Sequence, residues 1–217
     1  MTATMNLQDK LDDITAQTRN LVQPERLEVG ERAIAELFAT GIEDKLLKVG
    51  DVAPEFALTD ANGKLVRSTD LLALGPLVVC FFRGRWCPYC VTELETWRDL
   101  FAALRERGAL LVAISPQTVR QNDFTVSQHT LRFPLLRDEG AAVAAEFGAA
   151  YRVPDSMQSY YRSILVNIPF INGEPSWRLP VPATFVIGQD GMIRWSQGHA
   201  DFRVRPEPVE ALKALER

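Results

Sequence analysis

Cys87 and Cys90 lie in the run Arg83-Gly84-Arg85-Trp86-Cys87-Pro88-Tyr89-Cys90, at the start of a helical pattern. A spacing of three residues is about one helical turn, so both sulfurs face the same way and lie within disulfide reach. A cysteine in a helix's first turn meets unsatisfied backbone N–H groups and the positive end of the dipole, which favour thiolate over thiol. Cys87 holds that place. Pro88 suits the first turn because its missing N–H costs nothing there. Arg83 and Arg85 add positive charge beside the pair, and Trp86 supplies an apolar flank that limits water. The chemistry this predicts is two-electron redox at Cys87, with Cys90 as the neighbouring sulfur.

Blander readings attach to the same residues. Two cysteines could bind zinc, but a zinc site takes three or four protein ligands, and His129 and His199 lie in no ligand-like motif. No metal is expected. Arg83 and Arg85 could be solvated or paired with acids. Cys80, in mid-strand, reads as a small core hydrophobe. The histidines read as surface groups, and Trp97 and Phe101 as helix-core positions. Tyr160-Tyr161-Arg162 suggests a pocket wall and packing equally, and is left out of the expected site.

The elements that must hold the pair are legible around it. Leu77-Val78-Val79-Cys80-Phe81-Phe82 is an apolar run without alternation, as in a central strand covered on both faces. Leu94, Trp97, Phe101 and Leu104 recur at helical spacing up to Gly108, a natural stop. Leu110 to Ile114 is a second buried strand, which completes a strand-helix-strand unit. Upstream, Asn62-Gly63 marks a hairpin, and Ser68 or Asp70 can cap a short helix. Downstream, a polar helix is expected over 119–128, a strand at 133–136 and a helix over 141–147. Thr184 to Ile187 and Met192 to Trp195 form a hairpin around Asp190-Gly191, and Val209, Leu212 and Leu215 close the chain as a helix. Residues 151–180 show no clear period.

Residues 1–45 hold nine acids and five bases, whereas the remaining bases and acids balance. Leu7, Leu11, Ile14 and Leu21 mark one helical face, and Leu27, Ile34, Leu37, Phe38 and Ile42 another, with Pro24 between them. This predicts a helical hairpin packed on the domain or on a second subunit. The division expected is an N-terminal helical extension over 1–47 and a main domain over 48–217. A homodimer through the extension would cover its apolar faces.

The chain has 217 residues, 47% hydrophobic and 24% charged, with a formal charge of −4. That excludes disordered, collagenous and disulfide-scaffold classes, and the length suffices for one core without staples. Mild acidity with no basic stripe counts against nucleic acid as a partner. The longest apolar run is too short to span a bilayer. The first residues have no apolar signal region, and three cysteines make no extracellular framework, so a cytoplasmic protein is expected, with no membrane partner.

The cysteine segment, together with Pro54-Glu55-Phe56 and Pro182-Ala183-Thr184-Phe185-Val186-Ile187, resembles the thioredoxin-fold redoxins over residues 48–215. Among them it is most similar to the peroxiredoxin-like group of alkyl hydroperoxide reductase and thiol-specific antioxidant proteins. The resemblance implies an α/β thioredoxin-like fold, a central mixed sheet flanked by helices. Two departures stand out. Peroxiredoxins of this type carry Pro-x-x-x-Thr/Ser-x-x-Cys, where this chain has Cys80 and Gly84. The family's active-site Arg aligns with Pro182, which resembles the cis-proline of thiol-disulfide reductases.

The activity implied is reduction of a hydroperoxide by Cys87, giving a sulfenic acid that Cys90 condenses to a disulfide, reset by thioredoxin, glutaredoxin or a small thiol. Arg83 or Arg85 would replace the missing cation, and Tyr89 or backbone N–H groups would bind an oxygen. No organic cofactor is required. The alternatives are a thioredoxin-like reductase of protein or small disulfides, and a degenerate redoxin used as a binding module.

Overall fold

The computed structural model describes residues 6–216; residues 1–5 of the expected extension, and Arg217, lie outside them. Asn6 caps α1 (Leu7–Leu21), its side-chain oxygen accepting the Asp9 N–H at 2.8 Å. Pro24 opens α2 (Pro24–Ala39), and a single turn, α3 (Ile42–Lys45), follows. The hairpin β1 (Ala57–Asp60) and β2 (Leu65–Arg67) turns at Asn62-Gly63 as its sequence signals. In α4 (Ser68–Leu72), Ser68 does not cap the helix but accepts the buried Phe56 N–H at 2.9 Å.

The expected strand-helix-strand unit is β3 (Leu77–Phe81), α5 (Pro88–Glu106) and β4 (Leu110–Ser115). Next come α6 (Val119–His129), β5 (Leu135–Arg137) and α7 (Ala142–Glu146). The aperiodic stretch becomes β6 (Ala150–Arg152), α8 (Asp155–Ser163), α9 (Ile168–Asn172) and β7 (Arg178–Pro180), with β6 and β7 paired as a separate two-stranded sheet. The hairpin β8 (Ala183–Ile187) and β9 (Ile193–Gly198) and the helix α10 (Pro208–Ala214) complete the chain.

The main sheet runs β2-β1-β5-β4-β3-β8-β9, with β3, β4 and β5 parallel and the rest antiparallel. Each residue of β3 is fully buried, because both faces are covered. Leu77, Val79 and Phe81 face one layer, where Phe81, Phe147 and Phe185 meet edge to face at 4.9–5.9 Å between ring centres. Val78, Cys80 and Phe82 face the other, with α5 and both site cysteines. Cys80 is therefore the core residue its mid-strand place predicts.

The N-terminal helices are bound into this architecture. Leu7 and Leu11 are buried in the layer that holds Cys90, Leu94 and Trp97, and α1 lies against α5. α2 packs on α8, with Ala33 among Met157, Tyr161 and Trp177. Of the two expected partners of these helices, the domain and a second subunit, the domain covers Leu7 and Leu11 of α1. Leu21 and Phe38, counted with those apolar faces, are exposed instead, at the ends of their helices.

Candidate active site

β3 delivers the chain to Arg83, and the next residues turn sharply into α5. Gly84 has φ +145°, and a Cβ there would meet the Trp86 indole nitrogen at 2.6 Å. That explains the missing hydroxyl three residues before Cys87: the indole occupies the space of any side chain. Cys87 is the N-cap of α5, its N–H donating to the Gly84 carbonyl at 3.1 Å. Cys90, in the first turn, lies deeper; both are unpaired thiols, close enough for each to influence the other's ionisation.

The two sulfurs have unequal surroundings. Cys90 Sγ accepts the Arg83 backbone N–H at 3.3 Å and an Arg205 guanidinium N–H at 3.2 Å. Cys87 Sγ has Arg83 Nη1 at 3.9 Å. Burial opposes ionisation at both. At Cys90 it is overcome by the hydrogen bond from Cys87 and by both arginines, which hold the thiol well below its usual range. At Cys87, burial and then the hydrogen bond to Cys90 and its charge push the thiol up, outweighing the arginines. The sequence reading puts the thiolate on Cys87, whereas the closer N–H donors in the structure are aimed at Cys90 Sγ. In the reduced pair the charge rests on Cys90, because direct donors to that sulfur outweigh the diffuse field of the helix end.

Arg83, 2% exposed, stacks between the rings of Trp86 and Phe202, with its centre 4.8 and 4.3 Å from theirs, and donates to the Tyr161 hydroxyl. Arg85 does not join it. Its side chain lies over Phe124 at 4.4 Å and bonds Gln121, both on α6, so it leaves the thiol pair to Arg83. Trp86 packs edge to face on Tyr161 at 5.0 Å, and Tyr89 shares a hydrogen bond with Thr15 on α1 at 3.2 Å. Pro182 is buried ahead of β8, its carbonyl accepting the His199 N–H at 3.3 Å. All peptide bonds among the described residues are trans, so the likeness to a cis-proline ends at its sequence position.

Two site residues escaped the sequence reading. Arg205, 3% exposed, comes from the loop after β9 and pairs with the fully buried Glu93 of α5 as well as with Cys90. Glu93 lies one turn after Cys90, and a carboxylate among Val91, Leu94 and Trp97 is the signal that could have found it; its other oxygen accepts from Cys80 Sγ at 3.6 Å. Nothing local marks Arg205, which is distant in sequence. Tyr161, left open between wall and packing, serves as a wall of the site.

Burial raises the Glu93 carboxyl to about 7 against the pull of Arg205. An acid whose native pKa lies above its unfolded one binds its proton more tightly when folded, so its contribution to stability declines as pH rises from 4.5 towards 7. Above that window the ionised group costs about 3 kcal/mol. Urea midpoints between pH 4.5 and 7.5 should fall less steeply for Glu93→Gln than for the parent; parallel slopes would remove Glu93 as a titrating group.

Cys87 lies on the floor of a largely apolar cavity of about 200 Å³, only 1% exposed. Its walls are α1, α2, α8, Trp86 and Phe202. The arrangement offers a recessed sulfur lining a half-open apolar pocket, a second sulfur beside it, and the guanidinium groups of Arg83 and Arg205 close by.

The chain is similar to known thiol-dependent redox proteins. The model of the AhpC/TSA family matches residues 49–196. The thiol-disulfide oxidoreductase ResA of Bacillus thuringiensis is 25% identical over 149 residues, 68% of each chain. A putative peroxiredoxin of Mycobacterium tuberculosis is 35% identical over 102 residues, covering 47% of this chain and 66% of its own. Among solved structures, the peroxidoxin BcpB of M. tuberculosis superposes with a TM-score of 0.61 at 27% identity, over 78% of this chain and 97% of that one. Peroxiredoxin 6 of Arenicola marina shares the fold, with a TM-score of 0.63 at 19% identity over 78% of this chain and 72% of that one. No helix among the described residues is long and apolar enough to cross a membrane.

Proposed function

The chain belongs to the AhpC/TSA family and is a thiol-dependent oxidoreductase, and from that we propose that it reduces hydroperoxides through a Cys87/Cys90 dithiol-disulfide cycle. The observation that carries this choice is the recessed placement of Cys87, 1% exposed, in a half-open pocket lined largely by apolar side chains. A small oxidant fits such a cavity. A disulfide on a folded protein would have to approach past α1 and α2, which border the pocket.

The cycle begins with transfer of the Cys87 S–H proton to the neighbouring Cys90 thiolate. The Cys87 thiolate attacks the terminal peroxide oxygen; the S–O bond forms, the O–O bond breaks, and the alkoxide takes a solvent proton and leaves as alcohol. Arg83 Nη1, 3.9 Å from Cys87 Sγ, is placed to donate to the oxygen that gains charge. Cys90 sulfur then attacks the Cys87 sulfenic acid, forming the disulfide and releasing water. Two equivalents of an external thiol return both sulfurs to the reduced state and are themselves oxidised to a disulfide. A small thiol suits the opening as it stands. Cytoplasm, where thiol pools are reduced, suits a pair that must be reset each cycle.

Stopped-flow mixing of reduced protein with hydrogen peroxide and with cumene hydroperoxide tests this. Oxidation of Cys87 should outrun free cysteine by about 10³-fold or more. A rate equal to that of free cysteine, together with reduction of insulin disulfides, would replace peroxide reduction by disulfide exchange.

A further inference from the structure

The cavity over Cys87 extends past what chemistry at a sulfur needs. Its inner walls are Ile34, Met157, Tyr161, Phe202 and Trp86, and Leu27, Tyr160 and Ile164 continue it outwards. Arg19 and Arg26, both exposed, stand at the outer end. Neither has an ion-pair or hydrogen-bond partner among the described residues. Glu31, the acid beside them, has both oxygens engaged by Arg203, at 2.5 and 2.9 Å, and Arg203 is also held by Asp201. Two cations that form no direct ion pair among the described residues, although Arg19 stands near Glu31, Asp12 and Asp201, therefore border a largely apolar pocket that Cys87 also lines.

Half of this lining lies outside residues 49–196, the span that matches the family. α1 and α2 supply Arg19, Arg26, Leu27 and Ile34, and the segment after β9 supplies Phe202. The walls are held there by specific contacts. Thr15 meets the Tyr89 hydroxyl one turn of α1 before Arg19, and the Glu31–Arg203 pair ties α2 to the later segment. Such walls do not help reduce hydrogen peroxide, which has no apolar part to bury. They are complementary to a molecule with a hydrocarbon body and an anionic group remote from its reactive oxygen.

We propose that Arg19 and Arg26 make this cavity selective for long-chain hydroperoxides that carry a carboxylate at the far end, with the chain along the apolar walls and the peroxide at Cys87. The assignment rests on the hydroperoxide reading above. Burial of the chain contributes about 0.8 kcal/mol per methylene, and the carboxylate adds charge-assisted hydrogen bonds at the entrance. The chemistry is unchanged: the acid hydroperoxide loses one oxygen to Cys87 and leaves as the hydroxy acid.

The test compares linoleic acid hydroperoxide with its methyl ester, below micellar concentrations, by single-turnover oxidation of the full chain. The acid should react about tenfold faster. The double variant Arg19→Gln/Arg26→Gln should bring the ratio near one, whereas Arg32→Gln, an exposed change on α2 outside the cavity, should preserve it. Equal rates for acid and ester in the parent, or a preserved ratio in the double variant, would overturn the assignment. Calorimetric binding of oleate, which cannot oxidise the sulfur, separates the two claims. If no hydroperoxide oxidises Cys87 and oleate still binds, about tenfold more weakly in the double variant, the cavity assignment survives as a carboxylate-selective site and peroxide reduction falls. If oleate does not bind the parent either, both fall.

Discussion

Cys87→Ser should lower hydroperoxide turnover by about a thousandfold or more, while Cys90→Ser should still consume one equivalent of peroxide and then stop. The asymmetry follows from position. Cys87 lines the cavity, whereas Cys90 is fully buried behind it, bonded to Arg205 and the Arg83 N–H. Only the first sulfur can meet an oxidant, and only the second can close a disulfide. A further sign follows from the charges. In Cys90→Ser the two influences that raise Cys87 after burial, the hydrogen bond and the charge of Cys90, are gone, while Arg83 and Arg205 remain. The Cys87 thiol should therefore titrate at lower pH in the variant than in the parent, as read by the pH dependence of iodoacetamide alkylation. Alkylation profiles that coincide, or a Cys90→Ser protein inert to its first equivalent of peroxide, would refute the division of roles.

Arg205→Met should cost about 3–5 kcal/mol of unfolding free energy, the usual effect of removing one partner from a buried ion pair. Arg205 is the ion-pair partner of Glu93, and both are buried. Met keeps much of the volume, so the loss is electrostatic: Glu93 must then take up a proton or stay charged without a partner. The same change removes a donor at 3.2 Å from Cys90, so the shared thiolate should form only at higher pH. Urea denaturation and the thiolate absorbance near 240 nm, titrated against pH, read the two effects. A merely structural role would lower stability and leave the thiolate titration in place; an unchanged titration would remove Arg205 from the site.

The two kinds of information in the sequence differ in reach. Cys87, Cys90, Arg83, Trp86 and Tyr89 share eight consecutive residues, and local spacing set their geometry because one strand end and one helix start position all of them. Arg85 lies in the same run but points to α6, since neighbours around a tight turn diverge. Arg205 is more than a hundred residues away and reaches Cys90 only because β9 returns beside β8. No periodicity records that return. Much of the stretch over 151–180 is illegible for another reason: its strands have three residues each and α9 has five, too short for period two or 3.6 to show, and the nine-residue α8 buries only Met157, Gln158 and Tyr161. The N-terminal helices declared themselves by period, but only the packing of α1 on α5 and α2 on α8 made them cavity walls.

Among the described residues Arg83 pairs with no carboxylate; its neighbours are aromatic rings, a tyrosine hydroxyl and the Cys87 sulfur. With Arg205 matched by Glu93, the thiolate of the reduced pair is the one anion available to offset the Arg83 cation. Closing the disulfide abolishes that anion and strands a guanidinium in a low-dielectric interior. The reduced form is favoured by the difference, so the couple should sit at the less negative end of dithiol reduction potentials, and its disulfide should surrender readily to weak reductants.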